Sequence, residues 1–115
     1  MLQPCPSFLN LYQLPFVGMS HEFIGKNHGA PISIYFVNAP PGGGPVLHTH
    51  PYVETVIVLE GSARLTIGDQ EREVKAGDIA VIPSGTPHRF VNTGNKELRH
   101  IDVHASSTFI QTDLE

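Results

Sequence analysis

The sequence predicts an all-β fold, a sandwich or a barrel, and three observations carry that expectation. Short runs rich in β-branched and aromatic residues recur about every 8–12 residues after Ala30, the strand spacing of such folds. Gly and Pro, 11 and 10 in number, punctuate these runs. No stretch beyond Ala30 shows the 3.6-residue apolar period of an amphipathic helix. At 115 residues the chain is one ordinary domain, able to build one core but not two.

The elements follow in order. Residues 1–26 lack the regular punctuation and are expected to supply an edge strand or an arm that wraps onto a partner chain; residues 27–115 form the barrel. Ile32–Val37 reads as a strand because it is rich in β-branched and aromatic residues. Asn38–Pro45, NAPPGGGP, is a loop by composition. Thr55–Leu59 is a continuous apolar run, as in a buried strand. Glu60-Gly61-Ser62 turns the chain. Ala63–Ile67 and Gln70–Lys75 flank Gly68-Asp69, which suits a tight hairpin with Gly in first place. After the turn Ala76-Gly77-Asp78 comes the apolar strand Ile79–Ile82, then the loop PSGTP. His88–Asn92 and Glu97–His104 are the last strands, joined by Thr93-Gly94-Asn95-Lys96.

Composition removes several functional classes. The formal charge is −4, and no basic block marks a nucleic-acid binder. No run approaches the ~20 apolar residues of a membrane span. The N-terminal stretch has no Lys or Arg before Lys26, and Asn10, Gln13 and Pro15 interrupt it, which argues against a signal peptide. Residues 1–18 differ in texture from the rest, so Met19 is a second candidate start. Cys5 is the single cysteine, without a visible activating partner; it is expected to be inert and fits a cytoplasmic location.

Chemistry concentrates in the histidines, seven in all. On a helix, His48 and His50 would point about 200° apart; on a strand, alternate side chains share a face. Glu54 lies four residues beyond His50, so an extended chain keeps it on that face, unless Pro51 bends the path. His88 opens a later strand that a barrel can place across the interior. Three imidazoles and one carboxylate suit one divalent ion of Mn, Fe, Co, Ni, Cu or Zn, and leave positions open for water or substrate.

These residues sit in two spaced patterns. Gly42 is followed after five residues by His48-x-His50, then Glu54, then Gly61 six residues on. Gly77 is followed after five residues by Pro83-x-Gly85, then His88, then Asn92. With Gly at about 7% and Pro at about 5% of average sequence, ten such positions do not coincide by chance. Both patterns resemble the two motifs of the cupin superfamily. The resemblance spans Gly42 to Asn92, does not extend to residues 1–26, and implies a double-stranded β-helix, or jelly-roll barrel. It implies that His48, His50, Glu54 and His88 are metal ligands, that the glycines and Pro83 serve turns, and that Asn92 is structural. It also implies a homodimer, which would cover exposed sheet edges.

Further candidates flank the site. His100, Asp102 and His104 share one face of the last strand, and Ile101 and Val103 share the other. Apolar residues normally face the core, so parity favours an outward His100–His104 face; an inward one would give the site an acid or base. Small cupins that act on sugar acids resemble this chain in carrying an acidic residue near the position of Asp102. Tyr35 and Arg64 are candidates for substrate contact, with packing or surface roles as the ordinary alternative. Tyr52 could line the mouth, and Arg89 should turn away from His88. The expected function is a metal-dependent enzyme acting on a small polar metabolite such as a sugar, sugar acid or keto acid. Isomerase or lyase chemistry and an iron-dependent dioxygenase both fit; the alternative is a non-catalytic metal- or metabolite-binding module.

Overall fold

A computed structural model describes residues 6–115. Cys5 lies outside them. Eleven strands form two antiparallel sheets. They are β1 (Phe16–Val17), β2 (Ser20–Phe23), β3 (Ser33–Ala39), β4 (His48–Thr49), β5 (Glu54–Glu60), β6 (Ser62–Ile67), β7 (Gln70–Lys75), β8 (Ile79–Ile82), β9 (His88–Asn92), β10 (Leu98–His104) and β11 (Thr112–Asp113). The larger sheet runs β1-β2-β3-β10-β5-β8 and the smaller β11-β4-β9-β6-β7. The result is a jelly roll. Among the described residues the helical structure is two short 3₁₀ turns, and no helix is long and apolar enough to cross a membrane.

The strands end where the turn chemistry places them. The β6–β7 hairpin closes through Gly68-Asp69, with Ile67 opposite Gln70 and Gly68 at φ 60°, the first position of a type II′ turn. Gly61 turns β5 into β6 at φ 84°, and a Cβ there would meet the Glu97 carbonyl at 2.8 Å. Asn92 is fully buried. Its amide donates to the Ala39 carbonyl (3.0 Å) and the Lys96 carbonyl (2.8 Å), and its oxygen accepts from the Gly94 N–H (2.9 Å). It thereby joins β9 to the end of β3 and fixes the turn before β10.

The core lies between the sheets and runs up to the histidines, Val37 and Val58 standing on either side of His100. Val37, Val58, Leu65, Val74 and Leu98 are buried there. Two additions extend the larger and the smaller sheet, the first at the edge position expected of residues 1–26 and the second without a sequence signal. Within residues 1–26, β1 and β2 form a hairpin whose second strand pairs with β3, Glu22 opposite Tyr35. Beyond β10 the chain returns as β11 to pair with β4, Asp113 opposite His48.

Candidate metal centre

His48 on β4 stands directly opposite His88 on β9. His50 follows just past β4. Glu54 opens β5, and so reaches the same point from the other sheet. This corrects the expectation of one extended face: β4 and β5 belong to different sheets, and the bend after His50 carries the chain between them. One ligand atom from each of the four residues lies within 4.8 Å of the others, and all four residues are buried.

Hydrogen bonds fix how the rings face. The Nδ1–H groups donate to backbone carbonyls, His48 to Val46 (2.7 Å), His50 to Ile110 (2.7 Å) and His88 to Thr86 (2.9 Å). A carbonyl can only accept, so each Nδ1 carries the proton and each Nε2 is left with a lone pair. Two of those nitrogens face Glu54 Oε1, His88 at 3.1 Å and His50 at 3.3 Å. Lone pairs facing a carboxylate at that distance need a positive charge among them. The donor set therefore fits a divalent cation, with outer hydrogen bonds of the kind that orient metal-bound histidines.

Burial raises the Glu54 carboxyl, but the facing His50 and His88 rings outweigh it and hold the group well below the usual carboxylate range. Burial pulls His48 down, towards the neutral form that ligates. At His88 burial also pulls down, but the facing Glu54 carboxylate and the Thr86 carbonyl together push it up, so a proton at its Nε2 competes with an ion there.

The last strand reverses the parity expectation. His100, Asp102 and His104 point inward and are buried, while Ile101 and Val103 lie half-buried on the outer face. His104 Nε2 is 3.7 Å from Glu54 Oε1. Its Nδ1 meets the Tyr52 hydroxyl at 2.6 Å. That oxygen accepts from the Ile110 N–H, and the nearby His50 Nδ1 is itself a donor, so His104 Nδ1 is the one acceptor left for the phenolic proton. His104 therefore presents Nε2–H to the site, the opposite tautomer to the other three rings. Burial pulls its pKa down to about 4, which keeps it neutral. Deeper in, the Asp102 carboxylate accepts from His100 Nδ1–H at 2.5 Å, and burial pushes its pKa up to about 6 against the pull of His100. His100 Nε2 is buried without a partner.

Tyr35 is buried and packs against His104, ring centroids 4.7 Å apart. Tyr52 does not line the mouth: it is buried and stacks behind His50 at 12° between planes. Arg64 is no substrate contact. It is exposed on the outside of the smaller sheet and pairs with Glu71 at 3.1 Å. Arg89 reaches Glu115 at 3.2 Å.

A cavity of about 240 Å³ opens over the cluster. Its walls include Val37, Val56, Leu65, Phe90 and Phe109, and also Glu22, which sequence reasoning missed because residues 1–26 carry no motif. A larger groove of about 770 Å³ lies between the edges of β7 and β8. It is lined by charged groups such as Asp69, Arg72 and Lys75, contains no histidine, and offers no chemistry to compare with the centre.

A short antiparallel jelly roll with a buried cluster of imidazoles and a carboxylate at one end defines a class of small metal-binding barrel. The model of the Cupin domain matches residues 35–104, which contain the whole cluster. The chain belongs to the cupin family. It is 39% identical over 61 residues to an uncharacterized protein of Methanocaldococcus jannaschii, covering 52% of this chain and 49% of that one. It is 31% identical over 104 residues to the HTH-type transcriptional regulator PuuR of Escherichia coli, covering 87% of this chain and 55% of that one. The chain thus spans about half the length of these curated relatives. Among solved structures, an oxalate oxidase in complex with the substrate analogue glycolate superposes with a TM-score of 0.68 at 27% identity, covering 73% of this chain and 46% of that one.

Proposed function

We propose that His48, His50, Glu54 and His88 hold one divalent transition metal ion, and that the protein is an enzyme acting on a small oxygen-bearing metabolite. The observation that carries this reading is the convergence of three Nε2 lone pairs on one buried carboxylate. A bound ion supplies Lewis acidity towards a hydroxyl, enol or carboxylate oxygen. The protein's own groups do the rest. His104 directs its Nε2–H at a substrate oxygen, and Tyr52 holds it in that tautomer. Asp102, close to neutral pH in its titration, holds or accepts a proton, and His100 anchors it. Tyr35 and the apolar walls close the pocket against water. Isomerase or lyase chemistry and an iron-dependent dioxygenase use this arrangement equally well. The test is metal analysis of protein purified from its own source, followed by turnover assays with and without oxygen. Oxygen consumption with bound iron selects the dioxygenase; oxygen-independent turnover selects the redox-neutral enzyme; absence of any transition metal refutes the centre.

A second reading is a non-catalytic binding module. The similarity to part of a transcriptional regulator favours it. Tight metabolite binding without turnover on either metal regime would select it. A cytoplasmic location belongs to both readings and is supported by the single cysteine.

The chain is also inferred to form a homodimer. The outer face of the larger sheet carries mostly apolar rows, His21-Phe36-Ile101-Ile57-Ile79 and Phe23-Ile34-Val103-Thr55-Val81, in register across five strands. Five strands ~4.8 Å apart and about five residues deep span roughly 20 by 17 Å, about 340 Å². The exposed Phe8, Tyr12 and Phe16 of the preceding arm add to this towards the ~800 Å² per partner of a standard interface. A second copy, presenting the same flat face across a two-fold axis, is the occupant that fits.

A further inference from the structure

We infer that the pocket selects small molecules that arrive uncharged, with an apolar body and a hydroxyl or enol oxygen, and turns away small dianions; this rests on the metal-centre reading above. The inner face of the larger sheet places Glu22, Tyr35, Asp102 and Val56 in one row, each opposite the next. Carboxyl groups thus stand on both sides of Tyr35, in addition to Glu54. Adjacent strands are about 4.8 Å apart, so a small ligand over Tyr35 is flanked by both groups.

Positive charge is scarce in the same cavity. Arg89 is the one Lys or Arg among its described lining residues. Its guanidinium is 43% exposed and is already paired with the Glu115 carboxylate. A divalent ion with Glu54 carries a net charge of about +1, which one deprotonated oxygen neutralises. A dianion would exceed that charge and meet Glu22 as well, with no free Lys or Arg among the described lining residues to offset the excess. The remaining walls, Val37, Val56, Leu65, Phe90 and Phe109, penalise a charged ligand and reward an apolar one. The volume of about 240 Å³ is below the range of roughly 300–1,000 Å³ that takes drug-sized ligands, so the body is small.

The test uses zinc-loaded protein, because zinc has no redox chemistry of its own. Catechol, neutral and aromatic, and oxalate, a dianion, are titrated by calorimetry near neutral pH, and zinc content is measured on the same samples. Glu22→Gln is expected to tighten oxalate binding about tenfold while changing catechol by less than about twofold, as removal of one nearby like charge predicts. Phe109→Ala, at a half-exposed side chain whose ring packs against Tyr35, His50 and His104, is expected to weaken catechol about tenfold and leave oxalate and zinc content unchanged. Unchanged oxalate affinity in Glu22→Gln with full zinc content overturns the selectivity inference alone. Protein that retains no zinc overturns the centre and the inference with it.

Discussion

The two sheets obey opposite rules. In the smaller sheet, Ala63 and Leu65 of β6 and Val74 of β7 face the core, while Arg64, Glu71, Glu73 and Lys75 face water. That is the ordinary alternation of an antiparallel sheet with one wet face. The larger sheet is inverted at its histidine end. Ser33, Glu54, His100, Asp102 and His104 face inward, and Phe36, Ile57, Ile79, Ile101 and Val103 face outward. Polar groups inside a barrel are tolerated when each has a partner, and here hydrogen bonds and a proposed ion supply them for every one of these side chains but the Nε2 atom of His100. Apolar groups outside are tolerated when something covers them. The smaller sheet therefore closes the fold and supplies His48 and His88, while the larger carries Glu54, His100, Asp102 and His104 on its inner side and a contact surface on its outer side.

Changes at the metal ligands and on the inverted sheet should have specific effects, whereas changes on the water-facing side of β6 and β7 should have almost none. The largest effect is expected from His48→Ala with His50→Ala, which should reduce metal retention by at least about 100-fold in dialysed samples. Far-UV circular dichroism should still report β structure, and full metal occupancy in the double variant would refute the site. The outer face comes next. Ile79→Lys with Val81→Lys places two charges on exposed positions of β8 and should raise the dimer dissociation constant at least about tenfold by light scattering at graded concentration. A wild-type chain that is mainly monomeric at micromolar concentration would end the comparison on this side. The smallest effect belongs to the smaller sheet. Arg64→Ala removes an ion pair whose members are both more than half exposed. It should change unfolding free energy by less than about 0.5 kcal/mol in urea titrations, with metal content unchanged.

The inversion also explains how much the sequence reveals. Strand positions from Ile32 onward are legible because turn residues bound them, and the two motifs are legible because their spacing reflects turns that the chain must make. His48, His50, Glu54 and His88 are brought together as the motif spacing implies. The orientation of β10 was not legible, because the rule that apolar residues face inward assumes water on the other side. Ile101 and Val103 break that rule, and nothing within β10 itself announces it. The path to Glu54 is legible only as a pair of alternatives: Pro51 marks where the chain can bend, but pattern alone does not show that the bend carries it from one sheet to the other. Glu22 was missed for a third reason. Its position depends on pairing between β2 and β3, and a four-residue strand, half-buried throughout, carries no periodicity of its own.

The Ile110 carbonyl, which holds the His50 ring, has a consequence for biosynthesis. His50 is synthesised 60 residues before that carbonyl exists, and the His104–Tyr52 contact also depends on the strand just ahead of it. A nascent chain that already shows both motifs still lacks an oriented His50. The proposed centre is therefore expected to reach its full ligand geometry only once synthesis has passed residue 110, and a chain truncated before Ile110 should retain less metal than the full one.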